Sequence, residues 1–235
     1  MLPDIPLYLT ITFILTAFFT VGIFASGFWE SKNPKTKRWT HTLLLGVLFW
    51  MIFLSVLAIN NYFIDRKATP PHVAIPVFIS LGIILISFGL PRFRRTLDSI
   101  SLESLTWLHV VRIPVEISLY WLFLEKQVPE SMTFSGINFD ILSGITAPIV
   151  VWAYFKREII GSKILLLWNV LSLALLFIIV IRAFGAAPSP IQKWDFEQPN
   201  YAVLHFPFIW LPGVIVPLVF WSHLIAIRRL VLKKA

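Results

Sequence analysis

The sequence predicts an all-α, multi-pass membrane protein: one domain over residues 1–235, a bundle of seven transmembrane helices, its N-terminus outside and its C-terminus cytoplasmic. Four observations predict it. Of 235 residues, 57% are hydrophobic and 14% charged, whereas soluble domains average about 25% charged. Mean hydropathy is +0.81, more apolar surface than a water-soluble fold of this size can hide. Seven apolar runs approach the roughly 20 residues that a spanning helix needs. Lys and Arg concentrate in alternate connections between those runs.

The runs are Pro6–Trp29, Thr40–Phe63, His72–Leu90, Ile100–Leu124, Phe139–Phe155, Ile164–Phe184 and Tyr201–Ile227. Short connections rich in Pro, Gly, Asn or Ser separate them, as turn chemistry requires. The first run lacks the basic leader of a signal peptide and is too long for its apolar segment, so it is expected to stay as a helix. The fourth and fifth carry charges, which blurs their ends. The seventh holds Pro207, Pro212 and Pro217, with Gly213 beside the second. Each proline removes a backbone hydrogen bond, so this helix is expected to bend or unwind locally.

Counting by connection places fourteen basic residues on one side: Lys32, Lys35, Lys37, Arg38, Arg92, Arg94, Arg95, Lys156, Arg157, Lys163, Arg228, Arg229, Lys233 and Lys234. Four lie on the other: Arg66, Lys67, Lys126 and Lys193. The positive-inside rule puts the fourteen in the cytoplasm, and the plasma membrane (the inner membrane in a bacterium) is the expected location. Acidic residues, Asp4 among them, lean the other way. The net charge of +8 is therefore a topology signal, and no nucleic-acid partner is expected. The implied partner is the lipid bilayer. Absence of Cys excludes disulfides, thiolate metal sites and a cysteine nucleophile. No phosphate-cradling loop and no nucleophile elbow occurs.

Ionisable groups at membrane depth are costly, about 2.5–3.5 kcal/mol each on insertion scales, and so mark candidate sites. In the fourth run His109, Arg112, Glu116 and Tyr120 follow the spacing of one helix face. At about 1.5 Å per residue, Glu116 lies about 12 Å and Arg112 about 18 Å below the outer end. Arg112 can pair with Glu116 one turn away or with Asp140 at the start of the next run. Arg182 nears the outer end of the sixth run, His205 enters the seventh, and Asn61 and His72 flank the outer connection between the second and third. Arg112, Glu116, Tyr120, Asp140, Arg182, His205 and Asn61 are thus the candidate ligand-binding set, and His72 with His205 the candidate metal ligands. His223 falls near the cytoplasmic end and reads as interfacial. Asn169 and Ser172 read as interhelical hydrogen bonders, and Ser143, Gly144 and Ala147 as a close-packing surface.

These residues point first to an outward-facing polar pocket that binds or transports a small polar or lipid-like ligand. Arg112 and Arg182 would contact a carboxylate or phosphate, and Glu116 and Asp140 would balance them. A second reading is an enzyme acting on a lipid through His205 or His72, with a metal or with haem on two axial nitrogens. A third is a non-catalytic membrane subunit whose ion pairs, Arg112–Glu116 and Asp140–Arg182, lock helices together. The sequence names no cofactor and no protein partner. In topology alone the chain resembles the rhodopsins and heptahelical receptors, and the membrane hydrolases of the alkaline ceramidase and adiponectin-receptor type. Tyr201–Ile227 has no Lys for a retinal Schiff base, and His205 and His223 stand too far apart to form the H-x-x-x-H of those hydrolases.

Overall fold

The computed structural model describes residues 5–232; Asp4, Lys233 and Lys234 of the charge count lie outside them. Among the described residues there are helices and connections and no strand. The helices are α1 (Leu7–Trp29), α2 (Pro34–Ile59), α3 (Ala74–Gly89), α4 (Pro91–Leu97), α5 (Leu102–Leu124), α6 (Ile141–Lys156), α7 (Ser162–Ala186) and α8 (Leu211–Val231). Five of them (α1, α2, α5, α7 and α8) are long and apolar enough to cross a membrane. A sixth crossing arises if α3 and α4, bent by 96° at Leu90, count as one span. α6 is apolar but shorter. Each apolar run of the sequence contains one apolar helix, though not each is long enough to span, and the short α4 is an addition.

The apolar surface is turned outward as well as inward. On α2, Leu45, Phe49 and Ile52 are 69%, 71% and 64% exposed, an arrangement that water would penalise and hydrocarbon would not. Inward, α8 occupies the centre and lies against α1, α2, α3, α5 and α7, while α6 packs along α5. The main core runs from Leu9, Phe13 and Phe24 of α1 through Leu105, Leu108 and Leu122 of α5 to Val214, Leu218 and Ile225 of α8.

Prolines shape the two helices that matter most. Pro114 offers no N–H to the carbonyl four residues back and crowds it. The turn just before it, Leu108–Val111, tightens to 3-10 geometry. In α8 the expected irregularity sits at Leu211–Ile215, a wide π-type turn that contains Pro212 and Gly213. Pro217 cannot donate to the Gly213 carbonyl. That oxygen instead accepts from the Trp50 indole at 3.0 Å and the Ser80 hydroxyl at 3.3 Å, so α2 and α3 satisfy a group that α8 leaves open.

One end of the bundle is knit by polar contacts. Thr36 and Ser99 hydroxyls lie 2.6 Å apart, Arg228 Nε donates to Asp98 at 3.0 Å, and Lys156 meets Glu103 at 2.7 Å. The Ser104 hydroxyl donates to Glu30, and the Arg229 guanidinium to the Ile100 carbonyl. The described basic residues of the richer set stand at this end. At the opposite end the segment between α7 and α8 folds back. Gln198 donates to the Phe123 and Val128 carbonyls at 3.1 and 2.6 Å, and the Trp194 indole to the Arg182 carbonyl at 3.1 Å.

Candidate functional site

Four helices bring polar side chains to one buried point. Arg112, 3% exposed, projects from α5 just past the tightened turn. Its Nη1 donates to Asp140 Oδ1 at 2.6 Å and to the Ser172 carbonyl of α7 at 3.1 Å. Its Nη2 lies 2.7 Å from His223 Nε2 of α8. Guanidinium has donors only, so His223 accepts at Nε2 and must carry its hydrogen on Nδ1. That Nδ1 reaches Asn169 Oδ1 at 3.0 Å, and the Asn169 amide donates back to the Leu165 carbonyl at 2.9 Å. The run Asp140–Arg112–His223–Asn169 therefore has consistent donor and acceptor roles from end to end. His109 stacks on His223, ring centroids 3.9 Å apart, and Trp168 closes the stack edge-on to His109 at 5.3 Å.

Asp140 occupies the residue preceding α6, where the helix N-terminus favours negative charge. Asn138 ties it to the second carboxylate. The Asp140 backbone N–H donates to Asn138 Oδ1 at 3.0 Å, and Asn138 Nδ2 donates to Glu116 Oε1 at 2.6 Å and to the Met132 carbonyl at 3.0 Å. Glu116 Oε2, Arg112 Nε and His109 Nδ1 are buried and have no hydrogen-bond partner among the described residues. Glu116 and Asp140 form the polar part of the wall of a cavity of about 80 Å3. Val115, Leu119, Leu176, Val180, Leu211 and Pro212 supply much of the apolar remainder. At about 30 Å3 per water, it has room for about two or three waters or one small group.

Of the candidate binding residues, Arg112, Glu116 and Asp140 come together, and the alternative left open by the sequence resolves to Arg112 with Asp140. The other residues lie apart. Tyr120, about two turns beyond Arg112, stacks on Phe134 at 5.0 Å. Arg182 is not the partner of Asp140: its guanidinium sits 4.9 Å over the Trp194 ring, because the connection after α7 folds back onto the helix end. Asn61 is exposed in a left-handed turn after α2. His72 stacks parallel to Tyr62 at 4.4 Å and bonds its carbonyl, and His205 is half-buried, its Nδ1 without a hydrogen-bond partner among the described residues. No group of three or more His, Cys, Asp or Glu that could hold a metal ion forms among the described residues. His223 corrects the sequence reading outright, since it is 0% exposed and central rather than interfacial.

If Asn169 is what fixes the His223 ring, Asn169→Leu leaves a buried imidazole N–H without an acceptor. The expected loss is about 1–3 kcal/mol of stability, read from unfolding of the purified protein in detergent. A loss under about 0.5 kcal/mol, well short of a lost buried hydrogen bond, would show that the ring does not depend on this contact.

No curated protein and no solved structure matches the chain. One family does, over residues 70–231, a stretch that runs from just before α3 to the end of α8. It contains every member of the charged cluster and the His223–Asn169 contact, whereas α1 and α2 precede it. By that match over more than half its length, the chain belongs to the family described as Domain of unknown function (DUF8737).

Proposed function

We propose that the protein crosses the plasma membrane seven times, with its N-terminus outside, and that the cavity at Glu116 and Asp140 binds a small polar ligand for recognition or transport. The single observation that carries this reading is the buried, partnerless oxygen of Glu116, a side chain that with Asp140 lines a mostly apolar cavity. A buried polar atom without a partner is costly, about 1–3 kcal/mol or more when charged, and a donor-bearing ligand removes that cost. Size narrows the class. Pockets for drug-sized ligands run to about 300–1,000 Å3, so this space suits a compact group such as a primary ammonium rather than a lipid headgroup. Charge narrows it further, because both terminal nitrogens of Arg112 are already engaged and the partnerless atom of Glu116 is a carboxylate oxygen. The π-type turn at Leu211–Ile215 borders the cavity through Leu211 and Pro212, and such turns are frequent at functional sites.

The test is uptake and binding of labelled methylammonium by proteoliposomes. Glu116→Gln keeps the shape and removes the charge, and a loss of at least about tenfold, the size of 1.4 kcal/mol, is expected with the fold intact. Equal uptake by the variant would overturn the assignment. A second reading, a non-catalytic subunit, is favoured by the closed Asp140–Arg112–His223–Asn169 run, which resembles a lock between helices. Ala183→Leu separates the two. Filling this wall position abolishes binding under the first reading and only stabilises the bundle under the second.

A further inference from the structure

At the basic end of the bundle, away from the Glu116 cavity, α2 and α4 enclose a groove of about 810 Å3. Lys35, Arg38, Arg92 and Arg95 line it together with Asn33, Trp39 and Thr96, and no carboxylate does. All four cations are exposed, and none has an acidic partner among the described residues. α4 leaves α3 at a bend of 96°, and its Arg92, Arg95 and Thr96 line the groove together with Lys35, Arg38 and Trp39 of α2. Arg92 lies 5.9 Å over the Trp39 ring, and Phe93 packs against the same ring at 5.7 Å.

The groove does not stop at the polar level. Trp39 and Thr96 are shared with an apolar crevice of about 290 Å3, which in turn shares Thr42, Leu43, Ile83 and Trp221 with a second of about 260 Å3 reaching Trp50 and Gly213. From Trp39 to Trp50 the path along α2 is about 16 Å. That is about half of a hydrocarbon core about 30 Å thick, or one leaflet. Gly46 keeps the wall open, because a Cβ built there meets nothing within 4 Å. A cationic headgroup cradle thus leads into an apolar slot one leaflet deep, in the place where anionic lipids meet juxtamembrane Lys and Arg.

We propose that this composite groove is a binding site for one anionic glycerophospholipid, with its phosphate among Lys35, Arg38, Arg92 and Arg95 and one acyl chain in the crevice between α2 and α3. Charge selects the headgroup, and the depth of the slot selects a lipid over a soluble phosphate. The site is independent of the Glu116 cavity and stands if that reading fails.

The experiment uses the full chain extracted from nanodiscs of phosphatidylcholine and phosphatidylglycerol in equal parts, with retained lipid counted by native mass spectrometry. One phosphatidylglycerol per chain is expected to persist. Arg92→Gln with Arg95→Gln should weaken retention about 30-fold, from two lost cations near the surface. Gly46→Phe should weaken it comparably by blocking the slot with every charge in place. Lys32→Gln with Lys37→Gln removes the same charge from the same end outside the groove and should leave retention unchanged. If the arginine pair fails to fold, Lys35→Gln with Arg38→Gln reads the same cradle. Excess inorganic phosphate should not displace the lipid. Equal loss in the two double variants, retention of phosphatidylcholine as strong as that of phosphatidylglycerol, an unaffected Gly46→Phe protein, or displacement by phosphate would each overturn the proposal.

Discussion

Replacing Arg112 by methionine is expected to destabilise the folded protein by about 3–5 kcal/mol, the usual result of removing one partner of a buried charge pair. The guanidinium satisfies three acceptors on three other segments: the Asp140 carboxylate, the Ser172 carbonyl and His223 Nε2. Without it, Asp140 stays 5% exposed with no cation to face. Methionine retains most of the bulk, so the loss is electrostatic rather than a cavity effect. The companion variant makes the point testable. Arg112→Met combined with Asp140→Leu should recover more than half of that loss, because replacing a buried pair with apolar groups is often neutral. Denaturation in detergent of the two single variants and the double variant reads it. If Arg112→Met costs less than about 1 kcal/mol, far below the range for a broken buried pair, the four-helix network does not hold the bundle together.

The apolar helices were legible in the sequence because an apolar run is a local property, and a chain in lipid must satisfy its backbone within each helix. The irregular turn in α8 was legible for the same reason: Pro212, Gly213 and Pro217 act on their own turns. The polar cluster was legible in part. Arg112, Glu116 and Asp140 stand out as charges in apolar surroundings, but the choice of partner depends on how α5 meets α6. Tyr120 and Arg182 follow the expected helix positions and are then drawn off by Phe134 and Trp194, which belong to connections that periodicity does not describe.

The place of His223 is not legible from its run, because the apolar run ends at Ile227 whereas α8 continues to Val231. A usable signal was present. Arg112 lies ten residues after Leu102, Asn169 seven after Ser162, and His223 eight before Val231. At about 1.5 Å per residue these three fall about 10–15 Å from the basic end of their helices. Comparing depths from a common end, rather than each residue with its nearest interface, finds the Arg112–His223–Asn169 run. The second lesson concerns Asn169 and Ser172, which share a face of a helix that is otherwise apolar there. Polar groups in such a helix need partners at their own level, and here Asn169 meets His223 while the Ser172 backbone meets Arg112.

Gly144→Val is expected to cost about 3 kcal/mol, at the upper end for an overpacked site, and to act through the same network. Gly144 faces α5 at a close approach of the two helices. A Cβ built on it would sit 2.9 Å from Ile113 Cγ1, 3.1 Å from the Ile113 backbone nitrogen and 3.3 Å from Arg112 Cβ. The side-chain methylene can yield, but the backbone nitrogen moves only if the whole of α5 moves. Even alanine should therefore be felt, at about 1 kcal/mol, as overpacking of a rigid wall. The residue one turn before Gly144 is Asp140, so forcing α6 away from α5 carries the carboxylate off Arg112 as well. Two mechanisms make different forecasts for the double variant. If Gly144 serves packing alone, Gly144→Val and Arg112→Met add. If its closeness is what lets Asp140 reach the guanidinium, the second change has little left to break, and the pair falls short of additivity by more than about 1 kcal/mol, as residues sharing a network do. Sub-additivity is the expected outcome, since the contact at 2.6 Å leaves no slack for a displaced helix.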